Sequence, residues 1–264
     1  MTEPGAGSVP TTPLLRYFRE TLCTSPRGRD WGIRRIAEAD AQLADPRRLA
    51  QDFHESVEIV AREYRNYQPF HPIGHTFGVQ GTSGIRHGAN LVRTADVAAR
   101  LARRDVWHVD GNSKLDFRYI DRELPLMRAK PKPEQDPGSL LEVDLFLANA
   151  RDRTPILAEL KIEDDQCPFY ALVQLLTQAA YAVTPSQRER LVLFGSRPEF
   201  VLKEAVDGQP GKTDLYVLLV NSPQRPPYGE LRERAVALGR KLIALPEIKS
   251  RIRRIAWIEG VDAS

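Results

Sequence analysis

LLEVDLFLANARDRTPILAELKI, Leu140–Ile162, is the most strand-like part of the chain. Two apolar runs flank NARDRT, a polar segment suited to a turn. Side chains on a strand alternate between faces. Glu142, Asp144 and Phe146 therefore share one face of the first run, and Val143, Leu145 and Leu147 the other. In the second run Leu157, Glu159 and Lys161 share a face, opposite Ile156, Ala158, Leu160 and Ile162. Paired as a hairpin, the runs make one clean apolar face and gather Asp144, Glu159 and Lys161 on the other. Clustered carboxylates repel, and unpaired charge in a sheet is costly. A divalent cation resolves that conflict. Mg²⁺ takes one or two carboxylates, some waters and phosphate oxygens. It polarises a phosphodiester and lowers the pKa of a coordinated water, and a neighbouring lysine orients that water and meets developing charge. The set fits metal-assisted phosphodiester hydrolysis.

Outward from the hairpin, CPFYALVQLLTQAAYAV reads as a helix with Pro168 in its first turn. Its residues Tyr170, Gln174, Thr177, Gln178 and Tyr181 recur at helical spacing as a polar-aromatic stripe. RLVLFGS and DLYVLLVNS read as buried strands, GELRERAVALGRKLIAL as a helix, and RIRRIAWIEGV as a final strand. Upstream, KLDFRYIDREL reads as a helix and PLMRAK as a short strand. The N-terminal third is helical. DPRRLAQDFHESVEIVAREYRNY opens with an Asp cap and a Pro and sets Leu49, Phe53, Val57 and Val60 on one stripe. This order predicts an α/β domain with a mixed central sheet flanked by helices. The expected division is a disordered tail over 1–13, a helical region over 14–110 and the α/β domain over 111–264.

An acidic strand, then Glu-x-Lys on the next strand, then a helix resembles the PD-(D/E)XK, restriction-endonuclease-like nuclease superfamily. EVDLF followed by ILAELK is similar to its Holliday-junction-resolvase-like members. The Gln-bearing helix is similar to RecB-like members, although Gln174, Gln178 and Tyr181 depart from their spacing. The resemblance spans roughly residues 114–196. It implies Asp144, Glu159 and the Leu160 carbonyl as ligands of Mg²⁺ or Mn²⁺, Lys161 as the catalytic lysine, Glu142 as an auxiliary acid and Gln174 as a site-lining residue. Such families often add an acid from a helix before the sheet, for which Glu123 is the best placed. The implied activity is metal-dependent hydrolysis of DNA, by a homodimer where two strands are cut. A catalytically inactive module of the same fold, binding nucleic acid or a protein partner, is the alternative.

The remaining signals are weaker. The 264-residue chain is 42% hydrophobic and 28% charged, as an ordinary globular protein is, and its net charge of +3 permits nucleic acid without demanding it. Two cysteines make neither a disulfide framework nor a zinc pattern. No apolar run is long enough to span a bilayer, and no secretion signal is evident, so the expected location is the cytoplasm. GVQGTSGIRHGANLVR is Gly-rich, and its backbone amides beside Arg86 and Arg93 suit phosphate contacts, with Arg100 following on a helix. A flexible loop and a solvated basic helix face explain the same residues. GQPGKTD lacks the first glycine of a phosphate-binding loop and reads as a turn.

Overall fold

A computed structural model describes residues 11–18, 45–63, 89–126, 142–162, 168–196, 201–202, 205–206, 209–220 and 228–261. Its sheet has five strands: β1 (Phe117–Pro125), β2 (Glu142–Asn149), β3 (Pro155–Ile162), β6 (Thr213–Val220) and β7 (Ile252–Glu259), side by side in that order. β1, β2 and β3 are successively antiparallel, whereas β6 and β7 run parallel to β3. Two-residue strands β4 (Ala205–Val206) and β5 (Gln209–Pro210) pair apart from this sheet.

The β2–β3 hairpin closes as NARDRT dictates. Asn149 Oδ1 accepts from the amides of Arg151 and Asp152, each at 3.1 Å, so the side chain imitates a turn of backbone. Arg153 takes the left-handed conformation, φ 62°, that this tight reversal requires.

Parallel neighbours need crossover connections, and helices supply them. Between β3 and β6 lie α4 (Pro168–Ala182) and α5 (Pro185–Gly195); between β6 and β7 lie α6 (Tyr228–Ala244) and α7 (Pro246–Lys249). Upstream are α1 (Pro13–Tyr17), α2 (Pro46–Glu63) and α3 (Ala89–Ala102). Asp45 caps α2 as its sequence predicts, accepting from the Arg47 amide at 2.9 Å, and Leu49, Phe53, Val57 and Val60 form its buried stripe.

Both faces of the sheet are covered. Phe146, Ala148, Leu157, Leu215 and Val217 pack with α1, α2 and α4 in one apolar cluster. Leu145, Leu147, Ile156, Ala158 and Leu218 pack with Val97, Ala98 and Leu101 of α3 in the other. The helices α1 and α2 thus belong to the layer that covers the sheet. Where α6 meets β7, the ring of Trp257 lies so close to Gly239 that a Cβ there would stand 2.5 Å from it.

Two segments differ from their sequence reading. KLDFRYIDREL, expected as a helix, supplies β1 after a short 3-10 turn at Ser113–Leu115. A bulge between Tyr119 and Asp121 breaks the strand's alternation, which is why its apolar residues imitate helical spacing. RLVLFGS, expected as a strand, forms the end of α5 and its C-cap Ser196, with Leu191 and Val192 buried and Leu193 exposed. PLMRAK supplies only the end of β1, and residues 127–130 lie outside the described residues.

Candidate functional site

The strands β2 and β3 are in register from Ala148↔Pro155 to Leu145↔Ala158. Their recorded pairs end there, although β2 reaches back to Glu142 and β3 runs on to Ile162. β3 remains paired with β6 throughout, through Glu159↔Val217, Leu160↔Leu218 and Lys161↔Leu219. The result is a fork between β2 and β3. Asp144 turns its carboxylate across the fork, where Oδ2 accepts from the Leu160 amide at 2.9 Å. The N–H and C=O of a strand residue lie on the same edge, so the Leu160 carbonyl faces the same fork.

Glu159 and Lys161 stand on the face covered by α4, as alternation predicts, with Leu157 before them. Both are buried: their side chains are 3% and 6% exposed. Lys161 Nζ donates to Glu159 Oε1 at 2.8 Å. Glu159 Oε2 is buried and receives no N–H donor, and the side chain of Asp144 lies within hydrogen-bonding reach of Glu159. Burial, reinforced by the nearby charge of Asp144, pushes the Glu159 carboxyl up to about 8 against the opposing pull of Lys161.

Two neighbouring carboxyl groups and a backbone carbonyl at one fork are all hard oxygen ligands. Among the described residues no group of three or more His, Cys, Asp or Glu side chains is placed to hold a metal. Two carboxylates and one carbonyl still suffice for Mg²⁺, which keeps several waters. The donor set therefore fits.

The other expected residues are distributed as follows. Gln174 lies one helical turn beyond Tyr170 on α4 and is nearly buried. Glu142 begins β2, but its side chain lies outside the described residues. The same holds for the side chain of Glu123, whose backbone sits between the pairs Arg122↔Leu145 and Leu124↔Val143, hence opposite Asp144. Glu123 is on a strand, not on a helix before the sheet. Arg86 lies outside the described residues, as does the side chain of Arg93. Arg100 is exposed on α3, whose buried residues cover the sheet face opposite Glu159 and Lys161.

Sequence reasoning missed one neighbour of the site and one buried acid on the adjoining strand. The Tyr170 ring lies 5.1 Å from Lys161 Nζ; its place on the polar-aromatic stripe was visible, its contact was not. Asp121 is buried on β1, in register with Phe146, and its Oδ1 accepts from the Arg122 amide at 2.8 Å. Reading β1 as a helix hid it. No protein-family model, curated protein or solved structure matches the chain.

Proposed function

We propose that this chain is a Mg²⁺- or Mn²⁺-dependent nuclease of the restriction-endonuclease-like, PD-(D/E)XK kind, hydrolysing DNA phosphodiester bonds. The observation that carries the reading is the buried Glu159, held with Asp144 and Lys161 in a fork between strands. Two acids and an ammonium gathered out of water are costly unless a ligand completes them. The succession of an acidic strand, a Glu-x-Lys strand and a covering helix agrees with it.

Asp144, Glu159 and the Leu160 carbonyl would hold the cation. When bound, it supplies positive charge to a phosphoryl oxygen and a water of lowered pKa. Glu159 gives up its carboxyl proton to take this part. Lys161 steadies Glu159 through Oε1 and presents its ammonium to the attacking water or to the charge that develops on phosphorus-bound oxygen. Gln174 offers an amide to the substrate from the Tyr170 face of α4. Backbone phosphates supply most of the affinity, so binding weakens steeply with salt.

The test is cleavage of circular duplex and single-stranded DNA with Mg²⁺ or Mn²⁺, with Lys161→Ala and Asp144→Asn beside the parent. The expected outcome is metal-dependent cutting that falls at least about 100-fold in both variants. Equal cutting by parent and variants contradicts the site. Binding without cleavage, insensitive to chelator, would favour a binding module instead, in which the 2.8 Å Lys161–Glu159 pair serves only the fold.

A further inference from the structure

We propose that Tyr170 is a positioning residue for Lys161, and that helix α1 braces Tyr170 through Phe18. The proposal rests on the reading of Lys161 as the catalytic lysine. A lysine ammonium sits on a flexible four-carbon stem and needs fixing from more than one side. Glu159 Oε1 fixes one side at 2.8 Å. On another lies the Tyr170 ring, with its centroid 5.1 Å from Nζ. The face of an aromatic ring is negative and attracts a cation, most strongly where water is excluded, and the Lys161 side chain is buried.

The two anchors differ in kind. A carboxylate that engages a metal shares its charge and loosens its hold on the lysine. The ring does not compete for the metal, so it keeps the ammonium in place while Glu159 is engaged.

Behind Tyr170 stands the fully buried Phe18, their rings 5.0 Å apart and tilted by 42°. Phe18 closes α1, and α1 is fixed at its other end. The Leu15 amide donates to Thr12 Oγ1 and the Leu14 amide to Ser56 Oγ of α2, each at 3.2 Å. Ser56 Oγ in turn donates to the Asp52 carbonyl at 2.6 Å. A continuous line thus runs from α2 through α1, Phe18 and Tyr170 to Lys161. The N-terminal helices would act on the chemistry without touching substrate.

The test compares Tyr170→Leu, Tyr170→Phe and Phe18→Leu with the parent. In NMR spectra of lysine-labelled protein, ring current shifts the Lys161 ε-methylene signal upfield; its absence from Lys161→Ala assigns it. The expected result is loss of that shift in Tyr170→Leu and its retention in Tyr170→Phe. On DNA, kcat falls about tenfold in Tyr170→Leu with KM within about twofold, and Tyr170→Phe recovers most of the rate. Phe18→Leu reduces the shift and the rate in the same direction, and it carries the test if Tyr170→Leu does not fold. A parent signal without the upfield shift overturns the proposal, as does a shift that survives in Tyr170→Leu. So does a rise in KM at constant kcat, which would make Tyr170 a substrate contact. A parent that cuts no DNA defeats the nuclease reading, and the spectra alone then decide whether Tyr170 holds Lys161.

Discussion

The amide of Leu160 donates to the carboxylate of Asp144 at 2.9 Å, across the point where the recorded pairing of their strands stops. Asp144 thus does two things: it closes the fork with a hydrogen bond and it brings a charge to Glu159. Asparagine keeps an acceptor and removes the charge; alanine removes both. Asp144→Asn should weaken Mn²⁺ binding at least about tenfold with little loss of stability. Asp144→Ala should in addition unfold about 1–3 kcal/mol more easily, because the Leu160 amide loses its partner. Calorimetric titration and denaturant unfolding of both variants check this.

Glu159 makes the metal-free protein sensitive to pH. Its carboxyl titrates near 8 in the folded chain, against an ordinary value of 4.5. Between those values the folded state keeps a proton that the unfolded chain has released. The associated stability is fully present below the lower value and is lost as pH rises through the upper one. Metal-free protein should therefore lose roughly 2 kcal/mol between pH 6 and pH 8. Glu159→Gln, which cannot ionise, should lose much less over the same range in urea unfolding.

Removing one member of a buried pair leaves the other uncompensated, whereas apolar replacement of both is far milder. Above pH 8, where Glu159 is ionised, Lys161→Met should destabilise the chain by about 3 kcal/mol. Adding Glu159→Leu to it should recover most of that loss while leaving the protein unable to bind the cation. Denaturant midpoints for the two single variants and the double variant measure the coupling.

The hairpin and the placement of Asp144, Glu159 and Lys161 were legible because they rest on alternation alone. A period of two in LLEVDLFL and PILAELKI assigns each side chain to a face without any tertiary information. Which helix covers Leu145 and Leu147 was not legible, since it depends on α3 arriving from a distant part of the chain. Nor was β1: Phe117, Ile120 and Leu124 fall at helical spacing because the bulge after Tyr119 adds a residue to the strand. In α5 four successive apolar residues, Leu191 to Phe194, concealed a helix whose better signal was Pro185 at its first position. Phe18 and Tyr170 lie far apart in sequence, and their contact leaves no local pattern.

A second charged network lies toward the opposite end of β3 and serves the fold. Asp214 on β6 is fully buried and accepts from Arg253 Nε at 2.9 Å and from Nη2 at 2.6 Å. Arg253 also bonds Asp152 of the β2–β3 turn, tying that turn to β7. Burial raises the Asp214 carboxyl above its ordinary value despite these donors. Asp214→Ala should cost about 1–3 kcal/mol, since it removes two charge-assisted bonds to Arg253 while Asp152 still holds that guanidinium. Mn²⁺ affinity at the distant fork should hardly change in any folded fraction. Thermal unfolding and metal titration of the same sample separate the two effects.

The most direct measurement is Mn²⁺ binding itself, followed by loss of the free-ion electron paramagnetic resonance signal as protein is added. The expected result is one site per chain in the parent, weakened at least about tenfold in Asp144→Asn and in Glu159→Gln. Release of about one proton per ion bound near pH 7 should accompany it, as Glu159 ionises. A parent that leaves the free-ion signal unchanged, or variants that bind as tightly as the parent, would contradict a cation site between Asp144 and Glu159.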